Sequence, residues 1–209
     1  MSVAGQLAQG IASLGLALPA DVRAKLADYL ALIAKWNRVH NLTAVRETEK
    51  MVSAHLLDCL AIVPHLSAHS VLDVGSGAGL PGIPLALMWP QSGVVLLDSN
   101  HKKAAFLRQA VIELGLKNAT VVCERVETWQ PKQDFDLVIS RAFSDLHEFV
   151  RLAGRHCRAG GLIAAMKGVY PDEELAQLPG GFKLHSIVPL AVPGLPAARH
   201  LILLRPAEM

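Results

Sequence analysis

The segment from Val71 to Gly82 constrains the fold of this chain more than any other. It reads Val-Leu-Asp-Val-Gly-Ser-Gly-Ala-Gly-Leu-Pro-Gly, so a short apolar run leads into glycines at every second position. Glycine adopts positive φ freely and lets a ligand approach the backbone, because it has no Cβ. An apolar strand followed by such a loop predicts a ligand-binding turn at the carboxyl end of a parallel strand in an open α/β sheet.

The chain after Ser70 alternates between short apolar runs and longer amphipathic segments. This alternation favours a parallel sheet covered by helices on both faces, as in doubly wound α/β folds. The last two apolar runs, Phe182–Leu190 and His200–Leu204, are joined by a Pro/Gly-rich link without a helix, so we expect them to be antiparallel. The other predicted strands are Val71–Val74, Val94–Leu97, Thr120–Cys123, Leu137–Ile139 and Leu162–Ala165, and the predicted helices are Ile83–Met88, Lys102–Leu114 and Leu146–Cys157.

Residues 1–66 are predicted to form a helical extension that packs on an α/β domain of residues 67–209. The first 20 residues carry no basic n-region and their apolar side chains fall at helical spacing, which indicates an amphipathic helix and not a signal peptide. Pro19 and Asp21 suit the start of a second helix. A third is expected from about Glu47 to Val63, with Pro64 closing it.

The amino-acid composition limits which cellular compartment and which binding partners we expect. Hydrophobic residues make up 52% and charged residues 18% of the chain, which predicts a large core and argues against disorder. Cys59, Cys123 and Cys157 form no C-x-x-C pair, so we expect buried thiols in a reducing cytosol and neither a disulfide nor a metal site. The net charge is +2, so any RNA-binding surface has to be a local cluster of basic side chains.

Two cofactor classes are compatible with the glycine loop. The stretch from Gly77 to Gly82 also fits the dinucleotide pattern G-x-G-x-x-G, which is weak evidence when it stands alone. Asp73, two residues before Gly75, favours a zwitterionic cofactor, because its carboxylate suits an amino group better than a pyrophosphate. Asp98 closes the second strand and suits ribose hydroxyls in either case, while its structural alternative is the N-cap of the next helix.

The chain resembles the ribosomal small-subunit methyltransferase G family, also called glucose-inhibited division protein B, over nearly its whole length. The arrangement of a parallel core ending in an antiparallel hairpin is that of class I methyltransferases. The motifs that carry the resemblance are Trp36-Asn37-Arg38-Val39-His40-Asn41-Leu42-Thr43, His55-Leu56-Leu57-Asp58, the run from Leu72 to Pro84, Leu97-Asp98-Ser99, Arg125-Val126-Glu127, Ser140-Arg141-Ala142 and Lys167-Gly168.

The resemblance implies methyl transfer from S-adenosylmethionine to N7 of guanine 527 in 16S ribosomal RNA, in the rRNA's own numbering. It also implies 16S rRNA or the 30S subunit as partner and a cytoplasmic location. With Asp73, Gly77 and Asp98 from the residue-level interpretation, the predicted cofactor contacts include Gly75, Leu80, Val126, Glu127 and Arg141. For Glu127 the alternative is the first turn of a helix, and for Arg141 it is a surface arginine.

No catalytic base is expected, because guanine N7 carries a lone pair and no proton. We interpret His55 as a packing or RNA-contacting residue. The RNA-binding candidates are Arg38, Arg46, Lys167, Arg199 and His200, each of which can equally be a solvated charge. The alternatives to the leading hypothesis are a class I methyltransferase with another substrate and an NAD-linked dehydrogenase.

Overall fold

A computed structural model describes residues 2–141, 143 and 145–207 of the chain. Ala142, the last residue of the Ser140-Arg141-Ala142 motif, lies outside the described residues. A seven-stranded sheet runs through the described part, in the order β3-β2-β1-β4-β5-β7-β6. Its strands are β1 (Ser70–Val74), β2 (Gly93–Leu97), β3 (Ala119–Val122), β4 (Phe135–Ser140), β5 (Cys157–Lys167), β6 (Phe182–Pro189) and β7 (His200–Pro206).

The first five strands are parallel and the last two are antiparallel. β1 pairs with β2 and β4, and β2 with β3, all in parallel. β4 pairs in parallel with β5. β7 inserts antiparallel between β5 and β6. Because the parallel strands share one direction, their carboxyl ends lie along a single edge of the sheet, where Gly75, Asp98 and Arg141 follow three of them.

Helices cover both faces of this sheet. They are α1 (Val3–Ser13), α2 (Ala20–His40), α3 (Thr48–Met51), a π-helical segment (Val52–Leu57), α4 (Asp58–Leu60), α5 (Gly82–Met88), α6 (His101–Glu113), α7 (Leu146–Ala153) and α8 (Asp172–Ala176). Alternate strand residues face opposite ways, so Leu137 and Ile139 pack with the N-terminal helices, whereas Val138 packs with α7. The helices of residues 3–60 share one hydrophobic core with α5 and α6.

Tyr29 joins the N-terminal helices directly to the glycine loop. It is fully buried on α2, and its hydroxyl donates a hydrogen bond to the carbonyl of Ala78. Trp36 lies about two turns further along the same face of α2. Its ring contacts that of Phe106 in α6 edge to face, with ring centroids 5.6 Å apart. The N-terminal helices therefore pack directly against the glycine loop.

Two predicted helix boundaries were wrong. The helix predicted to run from Leu146 to Cys157 ends at Ala153, and Cys157 already begins β5. A single 3₁₀ turn follows α7, and at its first residue, Gly154, a Cβ would lie 2.6 Å from the Phe182 ring of β6. Glycine at position 154 therefore permits the close approach of the hairpin to the end of α7. Pro64 does not close a continuous helix either, because α4 ends at Leu60 and Pro64 lies within a separate 3₁₀ turn, Val63–His65.

Candidate functional site

The glycine loop follows β1 in a conformation that suits glycine. Gly75, Gly77 and Gly79 have φ of 69°, 58° and 85°, values that side chains with a Cβ rarely adopt. The loop is tied to the neighbouring strand, because the N–H groups of Gly75 and Ser76 both donate to the carbonyl of Leu97, at 2.8 and 3.1 Å. Its alternating glycines are therefore a requirement of the backbone path.

Asp73 lies behind this loop. Its carboxylate is fully buried, and Oδ2 accepts a hydrogen bond from the N–H of Gly82 at 3.0 Å. A Cβ on Gly82 would lie 2.6 Å from that oxygen, so glycine is needed for the close packing. The other oxygen, Oδ1, has no hydrogen-bond partner among the described residues. Burial raises the pKa of Asp73 to about 7.

A first cavity, of about 260 Å³, opens beside the ends of β1, β2 and β3. It brings together four of the predicted site residues, Gly75, Asp98, Val126 and Glu127. Its other lining residues were not predicted as cofactor contacts, although the first four of them lie within the family motifs. They are Val74, Leu97, Ser99, Arg125, Glu124, Phe143, Glu148 and Leu152.

Asp98 anchors the loop as well as facing the first cavity. Its Oδ2 accepts from the N–H of Gly77 at 2.9 Å, and its Oδ1 accepts from the N–H of Asn100 at 2.8 Å. The N-cap of α6 is Asn100, whose side chain accepts from the N–H groups of Lys102 and Lys103. The N-cap alternative for Asp98 is therefore wrong.

Val126 and Glu127 lie in a turn after β3. The N–H groups of Thr128 and Trp129 both donate to the carbonyl of Arg125, without a helix forming. The Val126 carbonyl accepts from Arg155 Nη2 at 3.0 Å and lies 3.1 Å from His156 Nε2. This turn is thereby attached to the end of α7, and the helix alternative for Glu127 is not found.

A second cavity, of about 290 Å³, lies on the other side of the glycine loop. Three predicted site residues that the first cavity lacks line it, namely Gly77, Leu80 and Arg141, and Gly75 lines both cavities. The rest of the wall was not predicted as site residues and consists of Leu42, Thr43, Ser76, Ala78 and Lys103. Leu42 and Thr43 close the Trp36–Thr43 motif, which is the sequence signal that could have identified them. Asp73 lines neither cavity in the described part of the chain.

Arg141 is held by the N-terminal helices and is not a surface arginine. Its Nη1 donates to the carbonyl of Ala54 at 2.9 Å and to Asp58 Oδ2 at 3.0 Å. Its Nη2 lies 3.5 Å from His55 Nδ1. The guanidinium is therefore fixed at the cavity wall by a segment more than 80 residues earlier in the chain.

His55 is buried between Arg141 and Thr43. Its Nε2 lies 2.9 Å from the hydroxyl of Thr43, while Nδ1 faces the Arg141 guanidinium. Burial, with a smaller contribution from the charge of Arg141, lowers the pKa of His55 to about 4. The imidazole is therefore neutral at pH 7 and has both ring nitrogens engaged, an arrangement that supports the packing interpretation.

The RNA-binding candidates lie in different environments. Arg38 and Arg46 are exposed, although Arg46 Nη2 donates to Asn41 Oδ1 at 2.8 Å. The Lys167 side chain is only 9% exposed and its ammonium is paired with Glu174 at 2.6 Å. Arg199 is paired with Asp58 at 3.2 Å. His200 lies with its Nδ1 3.2 Å from the carbonyl of Gly168.

The described residues contain neither a candidate membrane-spanning helix nor a candidate metal site. No helix among them has the length and apolar character to cross a membrane. No cluster of three or more His, Cys, Asp or Glu side chains is arranged there to hold a metal ion.

Comparison with known proteins gives consistent results over the whole chain. A family model described as rRNA small subunit methyltransferase G matches residues 22–202. A protein named Ribosomal RNA small subunit methyltransferase G from Nitrosospira multiformis is 58% identical, covering 99% of both chains. One of the same name from Laribacter hongkongensis is 56% identical, covering 97% of this chain and 98% of its own.

Two solved structures of similar fold are named as methyltransferases. The glycopeptide N-methyltransferase MtfA, complexed with S-adenosylhomocysteine, aligns with a TM-score of 0.63 at 13% identity, over 73% of this chain and 87% of its own. The O-methyltransferase TomG from Streptomyces achromogenes, complexed with SAM, aligns with a TM-score of 0.58 at 18% identity, over 87% and 90%. The predicted fold class, a class I methyltransferase with an antiparallel C-terminal hairpin, is confirmed.

Proposed function

The chain belongs to the rRNA small subunit methyltransferase G family, and on that premise we propose that it methylates N7 of guanine 527 in 16S rRNA, using S-adenosylmethionine. The observation that carries the proposal is the convergence of the family motifs on two adjoining cavities. Gly75 lines both, Asp98, Val126 and Glu127 line the first, and Leu80 and Arg141 line the second. Residues distant in sequence thus line two cavities that share Gly75 at the carboxyl edge of the sheet, where open α/β sheets bind ligands.

The two cavities suit the two ends of the cofactor. We assign the ribose hydroxyls to Asp98, which keeps acceptor capacity beyond its two backbone hydrogen bonds. The adenine edge is assigned to Val126 and Glu127. The methionyl end crosses Gly75 and Gly77 into the second cavity, where Lys103 and Arg141 supply positive charge for its carboxylate.

The sequence favours a contact between Asp73 and the amino group of the cofactor, but we assign Asp73 a different role. Its carboxylate accepts from Gly82 behind the loop and lies outside both cavities, in the part of the chain that the structure describes. We propose that it holds the start of α5 against β1 and so maintains the loop.

The chemistry asks little of the protein beyond positioning. When bound, S-adenosylmethionine supplies a methyl group on a positively charged sulfur, which a nucleophile can displace in line. Guanine N7 attacks through a lone pair and has no proton to lose, so no side chain has to act as a base. Holding the two reactants in the reactive geometry can contribute roughly 7–11 kcal/mol to the lowering of the barrier.

The absence of a required base predicts a flat pH profile. Single-turnover methylation at saturating cofactor should be nearly constant from pH 6 to 9 in the wild-type protein, because guanine N7 is unprotonated throughout. His55→Ala and Asp58→Ala should keep the flat shape, whatever their absolute rates. A wild-type rate that rises tenfold per pH unit and loses this slope in either variant would mean that a base is needed. The N7 assignment would then be wrong.

We propose that the rRNA approaches across Arg38, Arg46 and His200, whereas Arg199 is a weaker candidate because its guanidinium is paired with the buried Asp58. Arg38 and Arg46 are exposed at the end of α2 and in the loop after it, next to the second cavity. Lys167 is a weaker candidate, because its ammonium is buried against Glu174. N7 faces the deep major groove of paired RNA, so the target guanine has to be unpaired or displaced to reach the cofactor.

We further propose that residues 1–66 act as an extension of the domain of residues 67–209, and that the protein acts in the cytoplasm.

The proposed function is tested in a strain that lacks the gene. Mass spectrometry of its 16S rRNA should show unmodified guanine at position 527, and expression of the wild-type chain should restore 7-methylguanine there. In vitro reactions on naked 16S rRNA and on 30S particles then identify the substrate form. Restoration of a methyl group at another base, or of none, would overturn the proposal. Calorimetry with S-adenosylhomocysteine and with NAD distinguishes the proposed methyltransferase from the alternative of an NAD-linked dehydrogenase.

A further inference from the structure

Asp58 lies where three distant parts of the chain meet. It begins α4, directly after the π-helical segment, and its side chain is only 3% exposed. Its Oδ2 pairs with Arg141 at 3.0 Å, and its Oδ1 pairs with Arg199 at 3.2 Å. Arg141 follows β4 and Arg199 directly precedes β7. One buried carboxylate therefore connects the N-terminal helices, the parallel core and the C-terminal hairpin.

The two pairs differ from ordinary surface ion pairs. The side chains of Arg141 and Arg199 are 23% and 25% exposed, so both are partly shielded from water, and the carboxylate between them is buried. Exposed pairs are worth little, whereas loss of one partner from a buried pair leaves an uncompensated charge. Each carboxylate oxygen accepts from one arginine, and the cluster as a whole carries a net charge of +1 beside the second cavity.

Only Arg141 of the three lines the described wall of that cavity. A free arginine side chain samples many rotamers, and Asp58 removes this freedom together with the Ala54 carbonyl and His55. We infer that Asp58 is a positioning residue that fixes the Arg141 guanidinium at the cavity wall for the methionyl end of the cofactor. This inference rests on the proposed cofactor site, and Asp58 itself contacts no reacting atom.

The test is a double-mutant cycle on cofactor binding. S-adenosylhomocysteine affinity is measured by calorimetry for the wild-type chain, Asp58→Asn, Arg141→Gln and the double variant, below their unfolding temperatures. Asp58→Asn should weaken S-adenosylhomocysteine binding roughly tenfold. A loss of this size lies within the range of coupling energies measured between residues in contact. The double variant should bind no more weakly than Arg141→Gln alone, because Asp58 acts only through Arg141. A purely structural role would give additive losses or none.

Two further variants make the result decisive. Asp58→Asn leaves two partly buried guanidiniums without their counter-charge. Asp58→Glu keeps the charge but displaces Arg141, and it too should bind more weakly than wild type. Arg158→Gln is the matched control, since it breaks the Arg158–Asp136 pair at the start of β4, far from the cavities, and should bind normally. Wild-type affinity in Asp58→Glu, or additivity in the cycle, would overturn the inference.

The same experiment separates this inference from the proposed function. Binding of S-adenosylhomocysteine does not require the rRNA substrate, so the cycle reports on Asp58 even if the methylated base is a different one. A wild-type chain that binds S-adenosylhomocysteine but leaves guanine 527 unmodified would contradict the proposed substrate alone. If the wild-type chain methylates guanine 527 but the cycle shows no coupling between Asp58 and Arg141, only the role of Asp58 is contradicted.

Discussion

Gly77→Val should weaken S-adenosylhomocysteine binding at least about 100-fold, which corresponds to roughly 2.7 kcal/mol. Gly77 has φ of 58° and lines the second cavity. A β-branched residue strains this backbone conformation by about 1–2 kcal/mol or more. The new side chain would also occupy space that the cofactor needs and would disturb the hydrogen bond from the Gly77 N–H to Asp98. Calorimetry measures the affinity and thermal unfolding checks the fold.

Gly115→Val is the matched control for this substitution. Gly115 follows α6 with φ of 61°, nearly the value at Gly77, and a Cβ there meets no described atom within 4 Å. Both variants should therefore lose a similar free energy of unfolding through backbone strain, while only Gly77→Val loses the cofactor. Equal binding by the two variants would mean that the loop is a tight turn without contact to the ligand.

Asp98→Ala is expected to have the second large effect, on binding and on stability together. It removes the acceptor for the N–H groups of Gly77 and Asn100, and the loss of each of these part-buried hydrogen bonds should cost about 0.5–1.5 kcal/mol. It also removes a charged acceptor for the ribose hydroxyls, worth roughly 1.5–3 kcal/mol. We expect S-adenosylhomocysteine affinity to fall about 100-fold and the urea midpoint to decrease.

Asn100→Ala separates the two effects of Asp98. It removes the N-cap of α6, at a cost of about 1 kcal/mol of stability, but leaves the carboxylate that faces the first cavity. Its affinity for S-adenosylhomocysteine should stay within a few-fold of wild type. If Asp98→Ala binds equally well once its lower stability is allowed for, the ribose assignment is wrong.

Much of the fold could be predicted because it depends on local patterns. Apolar runs of strand length predict each of the seven strands in the described part of the chain, with boundaries within a few residues for most. The Pro/Gly-rich link predicted the antiparallel pair, although not that β7 would insert between β5 and β6. The glycine spacing predicted a ligand loop, because positive φ and close approach are properties of single residues and their immediate neighbours.

The sequence by itself therefore determined the α/β class, the glycine loop, the family and the set of strand ends that meet at one edge. Only the tertiary structure decided which polar side chains lie in cavities and which are paired. Asp73 is placed behind the loop, Lys167 against Glu174, and Asp58 between two arginines that are 83 and 141 residues away in the chain. The physical reason is that a charge's role depends on its partners and its burial, and both arise from long-range packing that no local pattern encodes.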